Sequence, residues 1–165
     1  DSLHTASLTD SMTGLLNRRG LDKAVDQLQH QATPFSILAL DIDFFKSVND
    51  NFGHDIGDDL LRSFSQLMKE HSREADLLFR SGGEEFIIFL INTDVQTAFR
   101  LAERLRERVE LYDFANVGGV TVSVGVAFWD GGDQPIHSIL KEADTALYRA
   151  KNNGRNRSEL FIADE

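Results

Sequence analysis

The chain has 165 residues, enough for one domain with a sizeable core, and carries 27 acidic against 17 basic side chains for a formal charge of −10. That charge argues against binding DNA or RNA along its backbone, and no apolar run approaches the ~20 residues that span a bilayer. Cysteine is absent, which excludes disulfides and thiolate zinc sites.

After an irregular opening, Leu21, Val25 and Leu28 recur at helical spacing and predict a helix over Arg18–Gln31. Pro34 then precedes FSILALDI, Phe35–Ile42, a buried strand. Leu60, Leu61, Phe64, Leu67 and Met68 form the apolar stripe of a helix from about Gly57 to His71. Leu77–Arg80 and Glu85–Leu90 read as the arms of a hairpin that turns at Gly82-Gly83. A helix follows over Thr97–Leu111, carried by Ala98, Leu101, Leu105 and Val109. GVTVSVGVAF, Gly119–Phe128, alternates strictly and predicts a strand, with Gly125 marking the close approach of another element. Ile136–Lys151 is a further helix and Glu159–Ile162 a short last strand. From Phe35 to Phe128 the order is β-α-β-β-α-β, the ferredoxin-like arrangement. The expectation is an α+β fold in one domain over residues 1–165: a central antiparallel sheet of about five strands with helices packed on it.

Three polar clusters interrupt this pattern. Asp41 and Asp43 end the first strand on one face, beside the core, where partly buried acids need a cation; Lys46 could supply it as an ordinary surface pair. Glu84 and Glu85 sit at the bend of the hairpin, which is either a solvated turn or a cation site. If the hairpin pairs beside the first strand, Asp41 and Glu84 or Glu85 converge as oxygen ligands of the kind Mg²⁺ takes. Lys151 and Arg155 bracket a helix end at Gly154, either complementing the helix dipole or reaching phosphate oxygens.

Together these clusters resemble the GGDEF domain family of diguanylate cyclases, with the signature written Gly82-Gly83-Glu84-Glu85-Phe86, the GGEEF variant. DSMTGLLNRRG (Asp10–Gly20), DIDFFKSVNDNFGHDIGDDLL (Asp41–Leu61) and ADTALYRAKNNGRN (Ala143–Asn156) are similar to the family's other blocks, in family order. Met12 stands where leucine is usual and Ser81 where an aromatic is common, but neither is a ligand position. The resemblance implies condensation of two GTP into cyclic di-GMP and pyrophosphate, with Mg²⁺, or alternatively Mn²⁺, as cofactor. It implies metal ligation by Asp41, Glu84 and the backbone carbonyl of Ile42, with Glu85 a further ligand or a base. Asn49 and Asp58 match guanine-binding positions; Lys46, Lys151 and Arg155 match phosphate contacts; Gly82 and Gly83 match the hairpin that passes close to the nucleotide.

READ, Arg73–Asp76, resembles the family's RxxD site for inhibition by the product, with Arg104 as an auxiliary contact; by itself it is an ordinary ion pair. His54 has no second histidine at metal spacing and is expected to be a structural hydrogen-bonder. One domain would hold one GTP, so the reaction implies a homodimer, with neither nucleic acid nor membrane as partner. The expected setting is the cytoplasm, as a fragment of a longer regulatory protein, either soluble or the cytoplasmic part of a membrane-bound one. The alternative to an enzyme is a receptor that binds GTP or cyclic di-GMP without turnover. Retention of Asp41, Glu84 and Glu85 favours the enzyme.

Overall fold

Every residue of the first strand, β1 (Phe35–Ile42), is buried, because it lies at the centre of the sheet with a hydrophobic cluster on each face. The computed structural model describes residues 7–163. The other strands are β2 (Leu77–Arg80), β3 (Glu85–Ile91), β4 (Val122–Trp129) and β5 (Ser158–Leu160), in the sheet order β2-β3-β1-β4-β5. β1 runs antiparallel to β3 and β4, and β2 antiparallel to β3, as the ferredoxin-like reading expects. β5 joins β4 in parallel. The sheet is therefore mixed rather than wholly antiparallel, since a helical crossover returns β5 alongside β4.

The helices are α1 (Arg18–Gln31), α2 (Phe45–Phe52), α3 (His54–Glu70), α4 (Val95–Leu111) and α5 (Ile136–Asn152). The pleat sends alternate residues of β1 to opposite faces. Leu38, Leu40 and Ile42 join Phe64 and Met68 of α3 and Ala102 of α4 in one cluster. Phe35, Ile37 and Ala39 join Leu21 and Val25 of α1 and Ala143 and Leu147 of α5 in the other. Asp41 is next in the second row, at the end of the face that α1 and α5 cover. A Cβ on Gly125 would lie 2.1 Å from the carbonyl oxygen of Ala143, so α5 packs directly on β4, as Gly125 suggested. That approach brings the C-terminal turn of α5, with Lys151, to the end of β1.

Several element ends differ from expectation by one or two residues, β5 among them, and three departures are larger or structural. α2 was not anticipated: it is only eight residues long, with Phe45 and Val48 as its buried residues, too few turns to establish a period. Gly53, at φ +94°, separates α2 from α3 and moves the start of α3 to His54. β4 begins at Val122 rather than Gly119, because Phe114 and Gly118 pair in a local turn before it. No helix among the described residues is long and apolar enough to cross a membrane.

Candidate nucleotide and metal site

The β1–β3 register sets Asp41 directly opposite Glu85, and residues 81–84 form the bend between β2 and β3. The hairpin loop is thus longer than a two-residue Gly-Gly turn. Asp41 is buried, and its Oδ2 receives the ammonium of Lys151. Its Oδ1 is buried with no hydrogen-bond partner among the described residues. A buried acceptor left unpaired costs about 1–3 kcal/mol, more when it is charged. Glu84 reaches the same point. Burial, then the charge of the nearby Asp41 carboxylate, push its pKa up to about 7; Lys151 opposes this and Glu85 adds to it.

Two carboxylates forced together in this way favour a shared proton or a shared cation. Among the described residues no group of three or more histidine, aspartate or glutamate side chains could hold a metal. Where a protein offers fewer carboxylates than that, Mg²⁺ commonly completes its shell with phosphate and water oxygens. Asp41's cation is Lys151 of α5, not Lys46, which is exposed on α2 and makes no ion pair among the described residues. Glu85 is exposed. After burial, its charge is the next influence raising the pKa of Asp144.

Neither hairpin glycine has a positive φ, so backbone conformation does not require glycine there. A Cβ on Gly83 would meet nothing within 4 Å, and one on Gly82 would meet only the side chain of Glu85. The fold leaves open space at this bend. Arg80 braces it, donating from Nε and Nη2 to the carbonyl of Gly83 at 3.0 and 2.6 Å. Its Nη1 pairs with Asp10 at 3.2 Å. Burial alone would raise the pKa of Asp10, but hydrogen bonds from Thr13 and Arg80 outweigh it and the net shift is downward. The backbone adds Arg80 N–H to Leu16 O at 2.8 Å, so the entry segment and the hairpin form one unit. Nothing in the local sequence marks Arg80, whose ionic partner lies 70 residues away.

Asp43 parts company with Asp41. It is buried and accepts from Thr121 Oγ1 at 2.6 Å, Ser123 Oγ at 2.7 Å and the Asn156 amide at 3.0 Å. It is a structural anchor for the loop after α5, and that loop carries Arg155. Asn156 is fixed again through its side chain, to Arg106 at 2.9 Å and Glu110 at 2.8 Å.

Asn49 and Asp58 are both half-buried, on either side of the bend between α2 and α3. A Cβ on Gly57 would lie 1.8 Å from Asn49 Oδ1, so the amide of Asn49 occupies the space that Gly57 leaves. Gly57 thereby joins the site; its sequence signal is a glycine inside a helix, which otherwise costs about 1 kcal/mol against alanine. His54 is exposed and its side chain makes no hydrogen bond among the described residues, contrary to the role expected for it.

At the RxxD segment, Arg73 Nη2 donates to Asp76 Oδ1 at 2.8 Å and to Thr93 Oγ1 at 2.6 Å. Arg104 is exposed on α4 and lines a depression of about 230 Å³ with His71, Glu107, Arg108 and Leu111. No hydrogen bond or ion pair among the described residues joins it to Arg73.

A family model described as "Diguanylate cyclase, GGDEF domain" matches residues 7–157. The response regulator PleD of Caulobacter vibrioides is 44% identical over 160 residues, covering 91% of this chain and 35% of PleD. The diguanylate cyclase DgcM of Escherichia coli is 42% identical over 161 residues, covering 95% and 39%. The chain thus spans less than half the length of these relatives. The solved GGDEF domain of DgcB from Caulobacter crescentus, in complex with c-di-GMP, matches with TM-score 0.88 at 29% identity, covering 97% of this chain and 99% of that one. The active GGEEF domain of a Vibrio cholerae diguanylate cyclase matches with TM-score 0.83 at 39% identity, covering 91% and 99%. With fold, hairpin and family match in agreement over most of its length, this chain belongs to the GGDEF domain family.

Proposed function

We propose that this domain is the catalytic unit of a diguanylate cyclase, which joins two GTP into cyclic di-GMP with release of two pyrophosphates. The observation that carries the reading is the unpaired, buried Oδ1 of Asp41 beside Glu84, whose pKa is raised to about 7. That donor set fits a hard divalent cation, Mg²⁺ or Mn²⁺, held by Asp41, Glu84 and the carbonyl of Ile42. When bound, such an ion would draw charge from the α-phosphate and favour ionisation of the attacking hydroxyl.

The residues of the chain hold and orient the rest. Lys46, Lys151 and Arg155 meet the triphosphate, with Lys151 exchanging part of its bond to Asp41 for phosphate oxygens. α2 starts at Phe45 without a side-chain cap, which suits an anion at its first turn. Asp58 accepts from N1–H and N2–H₂ of guanine while Asn49 meets its acceptor edge, a pairing adenine lacks. Gly82 and Gly83 leave clearance for the nucleotide.

In each half-reaction a bond forms between O3′ and the α-phosphorus and the bond to pyrophosphate breaks. Glu85 is the candidate acceptor for the hydroxyl proton. Positioning dominates such a displacement, and one bound GTP per domain means that a second copy, arranged antiparallel, must present the hydroxyl. Arg73 and Asp76, with Arg104 reaching from α4, would bind the product as feedback, Arg73 releasing Thr93 to do so. A GTP-consuming domain of this kind belongs in the cytoplasm.

The test is incubation of the chain with GTP and Mg²⁺ at high protein concentration, with cyclic di-GMP measured beside Asp41→Asn and Glu84→Gln. Product from the wild type alone is expected. No product from the wild type at concentrations that favour pairing would overturn the catalytic reading and leave that of a receptor.

A further inference from the structure

The most conspicuous unexplained side chain is Phe44. It is 63% exposed, and it adopts φ +59° and ψ +29°, a left-handed conformation unfavourable for a residue with a bulky side chain. Neither feature serves the core: the ring caps no helix and joins neither hydrophobic cluster. Such a backbone persists only where its surroundings impose it, and the cases cluster at functional sites.

What the ring touches is Arg155, whose guanidinium carbon lies 4.7 Å above its centroid. Arg155 is itself left-handed, at φ +60°, and its guanidinium makes no hydrogen bond or ion pair among the described residues. Among the described residues its side-chain partner is the aromatic face. The backbone just beyond is pinned from the same strand end, because Asp43 accepts the Asn156 amide at 3.0 Å. Residues 43 and 44 therefore grip the loop twice: once through a carboxylate and once through a ring. They follow directly on Asp41 and Ile42.

We propose that Phe44 is a positioning residue for phosphate binding, its ring carrying the Arg155 guanidinium by one face so that the N–H edges stay free for a nucleoside triphosphate. This deepens the function proposed above and rests on it. Stacking suits the task because it restrains the plane of the guanidinium without consuming a donor. A carboxylate in the same place would neutralise the charge and occupy two of the five N–H groups.

The experiment uses 3′-deoxy-GTP with Mg²⁺, a probe that can bind but lacks the attacking hydroxyl, titrated calorimetrically into the chain. Phe44→Leu is expected to weaken binding on the order of fivefold, a modest cation–π effect. Phe44→Tyr should restore it, because the ring face returns. In an Arg155→Ala background, Phe44→Leu should have no further effect. Phe44→Asn, which tolerates the left-handed conformation, should weaken binding without lowering the thermal midpoint; a ring with only a structural role would lower it. Wild-type affinity in Phe44→Leu, or the same fold loss with Arg155 already removed, overturns the stacking role alone. Failure of the wild-type chain to bind the probe overturns the proposed function and this inference together.

Discussion

Asp41 and Asp43 lie two residues apart at the end of β1, and both are buried. Asp43 has its oxygens satisfied by two hydroxyls and a backbone amide, all from this chain. Asp41 has one oxygen on Lys151 and one on nothing, and a second carboxylate pressed against it. The same side chain, at nearly the same depth, is thus a finished structural anchor in one place and an unfinished site in the other. The difference lies in what the neighbouring elements offer. Thr121 just before β4, Ser123 at its start and the loop after α5 aim donors at Asp43, whereas the hairpin aims an acid at Asp41. A fold that tolerates such repulsion near its core has a reason outside its own stability.

The sharpest break of this comparison is in activity. Asp41→Asn and Glu84→Gln should each reduce formation of cyclic di-GMP on the order of 10³-fold, as loss of a charge-stabilising group in an active site does. Glu84→Gln should not lower stability, because it removes one of two repelling charges; Asp41→Asn removes that repulsion together with the Lys151 ion pair, so its net change should be small. Product assays beside thermal unfolding test both halves, and a large fall in midpoint for Asp41→Asn would erase the distinction from Asp43.

Asp43→Ala should show the opposite profile. Three donors lose a charged acceptor, and hydrogen bonds to charged groups are worth about 1.5–3 kcal/mol each before water re-enters. A net loss of about 3 kcal/mol is expected, which lowers the melting midpoint by roughly 10 °C in a domain of this size. Calorimetric or fluorescence melting reads it directly. A change below about 1 kcal/mol would mean that the Asn156 and Ser123 contacts are replaceable and that the anchor is not one.

How much of this was visible beforehand follows sequence distance. β1, the hairpin and the stripes of α1, α3, α4 and α5 announce themselves through local periodicity, and their order alone yields the ferredoxin-like arrangement. Asp41 and the pair Glu84 and Glu85 stand out because they interrupt apolar runs, while only the family resemblance separates Glu84 from Glu85. The partners do not. Lys46 stood five residues from Asp41 and looked the natural cation, but helix α2 carries it to the surface, while packing of α5 on Gly125 delivers Lys151 from 110 residues away. Asp43 looked like the twin of Asp41 because its three donors lie 78, 80 and 113 residues further on. Arg80 at the hairpin was silent for the same reason. Types of residue are legible locally; their pairing is set by the sheet.

On the side proposed to bind the base, glycine rather than charge is the device. Gly57→Ala gains helix propensity worth up to about 1 kcal/mol, so stability should stay within that margin. Its methyl group would meet Asn49 Oδ1, and the amide must turn away. The KM for GTP should rise about tenfold with kcat changed much less, the pattern expected when binding common to ground and transition state is lost. Unchanged KM would separate Asn49 from recognition of the base.

The smallest expected effect is in pH, and it isolates the repulsion itself. Because Glu84 has a folded-state pKa raised from 4.5 to about 7, the folded domain holds that proton more tightly than the unfolded chain. Its contribution to stability is therefore complete below about pH 4.5 and is lost as the pH rises through about 7. In chelator, melting of the wild type should decline across that window, and Glu84→Gln should not share that part of the decline. The two proteins should match near pH 4.5 and diverge above pH 7, with the variant the more stable. Adding Mg²⁺ at pH 8 should then recover stability in the wild type more than in the variant, if Asp41 and Glu84 hold a cation as proposed. Parallel pH profiles in chelator would show that the carboxylates do not repel, and Asp41 would lose its contrast with Asp43.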